Sequence, residues 1–209
     1  LTINASTGTI DVSTSTPGTY TITYTTAGTC PNASTVTVTI NALDDASFNY
    51  DSPSYCLSEP DPTPTITGLA GGTFTSGAGL VINAATGEID VSTSTVGTYT
   101  VNYVTAGTCP NTSSISVSIT ALDDASFNYD EAIYCPNGSD PTPTITGVPG
   151  GTFTAAAGLI INATTGEIDL DASTEGIYTV TYSTIGVCTN SSDEIVTIDD
   201  NIDPVPDDA

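Results

Sequence analysis

The sequence predicts an all-β fold, a tandem array of Ig-like β-sandwich modules with a 79-residue repeat. Three observations predict it. One stretch is written three times at that spacing without insertion or deletion: LTINASTGTIDVSTSTPGTYTITYTTAGTC at 1–30, LVINAATGEIDVSTSTVGTYTVNYVTAGTC at 80–109, and LIINATTGEIDLDASTEGIYTVTYSTIGVC at 159–188. Within each copy Ile, Val and Tyr alternate with Thr and other polar residues, the two-residue period of a half-buried strand. Gly- and Pro-rich turn signals recur about every 8–12 residues, and no helical period competes with them.

The repeat divides the chain into residues 1–42, the C-terminal half of a truncated module, complete modules at 43–121 and 122–198, and an acidic, Pro-rich tail or linker at 199–209. A start in mid-repeat suggests a segment of a longer protein. In the middle module Phe48 and Tyr50 alternate with polar residues, and Ile66 follows a Pro-rich entry. Phe74 follows the Gly71-Gly72 turn, Leu80 and Ile82 alternate, and Thr86-Gly87 turns into Ile89 and Val91. Tyr99, Val101 and Tyr103 share one face of the next strand, opposite Thr98, Thr100 and Asn102. Ile115, Val117 and Ile119 mark the last strand. That makes roughly seven short strands per module. In the third copy Glu194 stands where Ile115 and Val36 stand, so that strand either starts later or shifts register.

Composition narrows the function classes. With 24 acidic residues, no Lys, Arg or His, and a formal charge of −24, the chain lacks the basic face a nucleic-acid binder needs. It also lacks any polybasic segment for anionic lipid, and no apolar run is long enough for direct membrane insertion. His and Lys, the common general bases and amine nucleophiles, are missing, so an enzyme is not expected. With no protein cation to pair them, the carboxylates must be solvated, hydrogen-bonded or bound to a metal ion. A disordered chain of this charge is set aside because its apolar residues are regularly placed.

The five cysteines obey the repeat. Cys56 and Cys135 follow a Tyr near the start of a module, whereas Cys30, Cys109 and Cys188 precede the last strand. Two pairings fit. Bonds within modules, Cys56–Cys109 and Cys135–Cys188, span 53 residues and leave Cys30 unpaired by truncation; bonds across junctions, Cys30–Cys56 and Cys109–Cys135, span 26 and leave Cys188. The first is favoured because it makes each module self-contained. Disulfides imply an oxidising, extracellular setting.

The carboxylates are the candidates for metal chemistry. Asp44, Asp45 and Asp51 at one junction recur as Asp123, Asp124 and Asp130 at the next, and Asp61 recurs as Asp140. Clustered hard oxygen ligands suit calcium. The competing reading is that these aspartates cap turns and face water, and the absence of a DxDxDG loop favours it. Asp11, Asp90 and Asp169 recur in every copy and read as outer-face residues that discourage strand pairing with other chains.

The stretch GLVINAATGEIDVSTSTVGTYTVNYVTAG resembles the Ig-like or cadherin-like repeats of bacterial surface proteins, with the pattern G-L-x-I-x-x-x-T-G-x-I followed by G-T-Y-x-V. The YC…PTPTITG…GGTF…GTC pattern is similar to tandem modules in giant secreted adhesins of gliding Bacteroidetes. The resemblance implies secretion, attachment at the cell surface and a stalk or filament role, with neighbouring repeats of the same protein as the main partners. Two alternatives stand beside it: a calcium-dependent module that binds surface glycans, and a homo-oligomeric filament built by strand complementation.

Overall fold

The structure, a computed structural model, describes residues 1–200. All but the start of the acidic tail at 199–209 lies outside the described residues. Every regular element among the described residues is a strand. Residues 1–42 carry β1 (Thr2–Ile3), β2 (Ile10–Asp11), β3 (Gly18–Thr25) and β4 (Ala33–Ile40). The second repeat carries β5 (Phe48–Asn49), β6 (Ser54–Cys56), β7 (Thr65–Ile66), β8 (Thr73–Ser76), β9 (Val81–Ile82), β10 (Ile89–Asp90), β11 (Gly97–Val104) and β12 (Thr112–Thr120). The third repeats the series as β13 (Phe127–Asn128), β14 (Ile133–Tyr134), β15 (Thr144–Ile145), β16 (Thr152–Ala155), β17 (Ile160–Ile161), β18 (Ile168–Asp169), β19 (Gly176–Ser183) and β20 (Ser191–Ile198). The protein is all-β, built from tandem Ig-like modules.

A complete repeat has eight strands rather than the seven of the sequence pattern, and the extra one is β6 or β14. Two or three residues after a loop show no alternation, so the sequence gives this strand no signal. Its position matters below.

The chain divides into two compact units, residues 1–55 with 59–118, and residues 56–58 with the chain from 119 onward. In the second unit a four-stranded sheet runs in the order β14-β20-β19-β16 and faces the pairs β13-β15 and β17-β18. β19 and β20 form a long antiparallel hairpin from Gly176↔Ile198 to Ser183↔Ser191, and β14 joins β20 in parallel with Ile133 beside Thr197 and Tyr134 beside Ile198. In the first unit the order is β6-β12-β11-β8 with the pairs β5-β7 and β9-β10, while residues 1–42 form two separate hairpins, β1-β2 and β3-β4.

The predicted inward residues make the core. Ile89, Val91, Val101 and Tyr103 are fully buried, as are Ile168, Leu170, Val180 and Tyr182 in the third repeat. Tyr99 sits half-buried at the sheet's end, its hydroxyl bonded to Thr95. One tyrosine per repeat ties the two halves together. The Tyr182 ring lies 4.6 Å from Phe153 and 5.8 Å from Phe127. Its hydroxyl donates to the Val148 carbonyl at 2.7 Å and accepts from the Gly151 N–H at 2.8 Å. Tyr103 repeats this with Phe74, Phe48, Leu69 and Gly72. Only glycine fits beside that ring: a Cβ on Gly151 would meet the Ser183 carbonyl oxygen at 2.1 Å.

Glu194 neither delays the last strand nor shifts its register. It pairs with Val180 inside β20, as Val36 pairs with Ile22 in β4. It is tolerated because that end of the sheet is only half-buried, so its carboxylate stays within reach of water.

Removing the Tyr182 hydroxyl by Tyr182→Phe strands a half-buried carbonyl and a buried N–H, and should lower stability by about 1–2 kcal/mol in urea unfolding. Tyr24→Phe, at the same repeat position in residues 1–42 but 69% exposed, should stay within about 0.5 kcal/mol of the parent.

Candidate functional site: cysteines and acidic turns

The structure forms one disulfide among the described residues, Cys56–Cys188, with Cα atoms 5.4 Å apart and 132 residues between them in sequence. Cys30, Cys109 and Cys135 are thiols. Neither pairing expected from the sequence is formed, and β14 and β20 give the reason. Tyr134 lies beside Ile198, so Cys135 follows at the C-terminal end of β20, where the Asp199 N–H donates to the Tyr134 carbonyl at 3.0 Å. Cys188 precedes the other end of that strand, which begins at Ser191. Eight residues of strand separate the two by roughly 26 Å. A disulfide requires Cα atoms about 4.4–6.8 Å apart, so a repeat cannot close on itself through its own two cysteines.

The bond instead joins the early cysteine of one repeat to the late cysteine of the next. Cys56 leaves β6 next to the end of β12, where the Leu57 N–H donates to the Thr120 carbonyl at 3.1 Å. Cys188 is 2% and Cys56 7% exposed, so the bond is shielded from solvent. Closing a loop of this length stabilises the chain by about 5 kcal/mol in the chain-entropy model.

The six junction aspartates do not assemble a cation site. Asp45 Oδ1 accepts from the backbone N–H and hydroxyl of Ser47, and Asp124 does the same with Ser126. Asp51 and Asp130 accept the hydroxyls of Tyr55 and Tyr134. Asp44 Oδ2 accepts the Thr105 hydroxyl at 2.9 Å. Asp123 differs: the Thr184 hydroxyl donates to the Asn190 carbonyl, and Asp123 Oδ2 is a buried atom without a partner. No group of three acidic or other ligating side chains converges among the described residues. Calcium takes 6–8 oxygens, backbone carbonyls included, and no three of these side chains come together to supply them among the described residues. A cleft of about 490 Å³ gathers Asp51, Glu59 and Asp61 beside Tyr55, but Asp51 holds the Tyr55 hydroxyl and Asp61 accepts the Val91 N–H at 2.9 Å.

Several of these carboxylates are structural caps that the sequence pattern did not reveal. Asp61 and its counterpart Asp140, which accepts from the Leu170 N–H at 3.0 Å, pin the first half of a repeat to the second. Asp11, Asp90 and Asp169 are turn caps rather than outer-face guards: they end β2, β10 and β18 and accept N–H groups from the next residues. Hydrogen bonds from side chains, of Ser13 to Asp11, Thr93 to Asp90, Ser47 to Asp45 and Ser126 to Asp124, hold these carboxyls below the usual range. A lowered folded-state value means the contribution is present above the ordinary carboxylate range and fades as pH falls through it.

No protein-family model and no curated protein sequence matches the chain. Solved structures that resemble it include tandem cadherin repeats. The protocadherin gammaB7 EC3–6 cis-dimer matches with 13% identity and a TM-score of 0.34, covering 88% of this chain and 58% of that one. Mouse cadherin-23 EC22–24 matches with 15% identity and a TM-score of 0.32, covering 91% and 76%. The likeness is one of repeated β-modules and goes no further.

The tyrosines give the repeats an alkaline limit. Burial, with the hydrogen bond to Asp51 or Asp130, pushes the Tyr55 and Tyr134 hydroxyls up to about 12, and burial raises Tyr50 and Tyr129 further. A raised folded-state value stabilises the fold below the unfolded value near 10 and loses that contribution as pH rises toward 12. Urea midpoints should therefore fall between those values as tyrosinate absorbance appears, and Tyr134→Phe should flatten the decline.

Proposed function

We propose that the chain is part of an extracellular stalk, a run of disulfide-linked β-modules that projects a surface adhesin of the secreted bacterial kind. Its modules are 43–121 and 122–198, preceded by half of another at 1–42. The observation that carries the proposal is the Cys56–Cys188 bond, which joins one repeat to the next rather than closing either. A bond so placed resists separation of neighbours under tension, and it persists where the environment is oxidising. Most carboxylates of the junctions are spent on turns and strand ends or face water, so the acidity serves solubility and spacing. The aromatic residues of the complete repeats mostly point inward, which disfavours glycan stacking on their loops. The neighbouring repeats of the same protein are the principal partners.

Immunogold labelling with antibody raised against 43–198 tests the stalk. Label should lie outside the membrane of intact producing cells. Label that appears only after lysis would refute the extracellular assignment.

A further inference from the structure

The outer face of the sheet β14-β20-β19 departs from its counterpart one period earlier. The register sets Ile133 beside Thr197, Thr197 beside Ile177, and Thr179 beside Ile195. The buried residues of these strands, Tyr134, Tyr178, Val180, Val196 and Ile198, alternate with them, so the three isoleucines lie on the side away from the core. Ile133, Ile177 and Ile195 are 50%, 75% and 62% exposed. The same positions in the second repeat hold Ser54, Thr98 and Ser116. One exposed isoleucine is unremarkable, whereas three on neighbouring strands of one face make an apolar patch that marks an interaction surface. The face is open within the array as well, because Thr98 and Ser116 are exposed although another repeat follows theirs.

Carboxylates border the patch. Glu175, Asp193 and Asp199 keep the alternation, two residues from Ile177, Ile195 and Thr197, and Glu131 stands two residues before Ile133. In the second repeat these four positions are Val96, Ser114, Thr120 and Ser52, none of them charged. The third repeat has therefore gained both isoleucines and carboxylates on one face. A hydrogen bond from the Asp200 side chain, with the negative charge of Asp200 and Asp199, holds the Glu175 carboxyl above the usual range. The chain has no Lys, Arg or His to offset this crowding.

Charge and geometry select the occupant. A second copy would set carboxylates against carboxylates, since it brings no basic side chain. An extended segment pairs with a strand edge through its backbone rather than lying on the face of a sheet. A helix packs on a sheet face through an apolar stripe, and Lys or Arg along the stripe's borders would meet the carboxylates. We propose that the Ile133, Ile177 and Ile195 patch docks a basic amphipathic helix of another protein, with its apolar stripe on the isoleucines and its basic borders on the surrounding carboxylates. The patch occupies part of one small sheet, so the contact belongs to the weak, exchangeable class below the standard interface size. This goes beyond the stalk, which stands without it: the second repeat acts as a spacer, and the third also recruits a partner.

The probe is a synthetic helix with leucine along one face and lysine along both borders, titrated calorimetrically into the full chain. Ile133→Ser, Ile177→Thr and Ile195→Ser together install the residues of the second repeat at exposed positions. That chain should keep its far-ultraviolet spectrum and bind the helix at least about tenfold more weakly. A chain carrying Glu175→Gln and Asp193→Asn should also bind more weakly and with a shallower salt dependence. A helix with glutamate in place of lysine should not bind. No binding to the parent chain, undiminished binding by either variant, or binding of the glutamate helix would each overturn the proposal. So would self-association of the parent chain that the isoleucine replacements abolish, because the occupant would then be a second copy.

Discussion

One strand's length separates the two cysteines of a repeat, and much of the structure follows from that constraint. β20 holds Cys135 at one end and Cys188 at the other, so the only cysteine a repeat can reach is a neighbour's. Covalent closure thus becomes a property of the array. A module of this size has a limited core, and an array bonded between repeats opens only where two neighbours yield together.

Inside each repeat the corresponding constraint is aromatic. Tyr103 and Tyr182 are fully buried because a first half, through its phenylalanines and a glycine turn, encloses a ring presented by the second half. Neither half is complete alone, as the exposed Tyr24 shows. The same dependence makes the full repeats stable.

The fold was legible in the sequence because its signals are local. Alternation marked β11 and β19, the Thr-Gly turn marked the step into β10, and the 79-residue period fixed the repetition. The disulfide was not legible because it depends on β6 and β14, strands too short to show a period, and on which end of the sheet they reach. The aspartates misled for a related reason. Clustering in sequence suggested shared ligation, whereas the carboxylates of Asp44, Asp45 and Asp51 each bond to a separate serine, threonine or tyrosine hydroxyl or backbone N–H, and Asp123 Oδ2 has no partner. Asp61 reaches across 30 residues to Val91, a partner that no spacing rule reveals.

Disulfide connectivity is the most direct measurement. The chain has no Lys or Arg for trypsin, so digestion with an Asp-directed protease under non-reducing conditions, followed by mass spectrometry, is the suitable map. Peptides containing Cys56 and Cys188 should be found joined. A Cys56–Cys109 or Cys135–Cys188 bond would contradict the account, because either would require a repeat to close across the length of its own last strand.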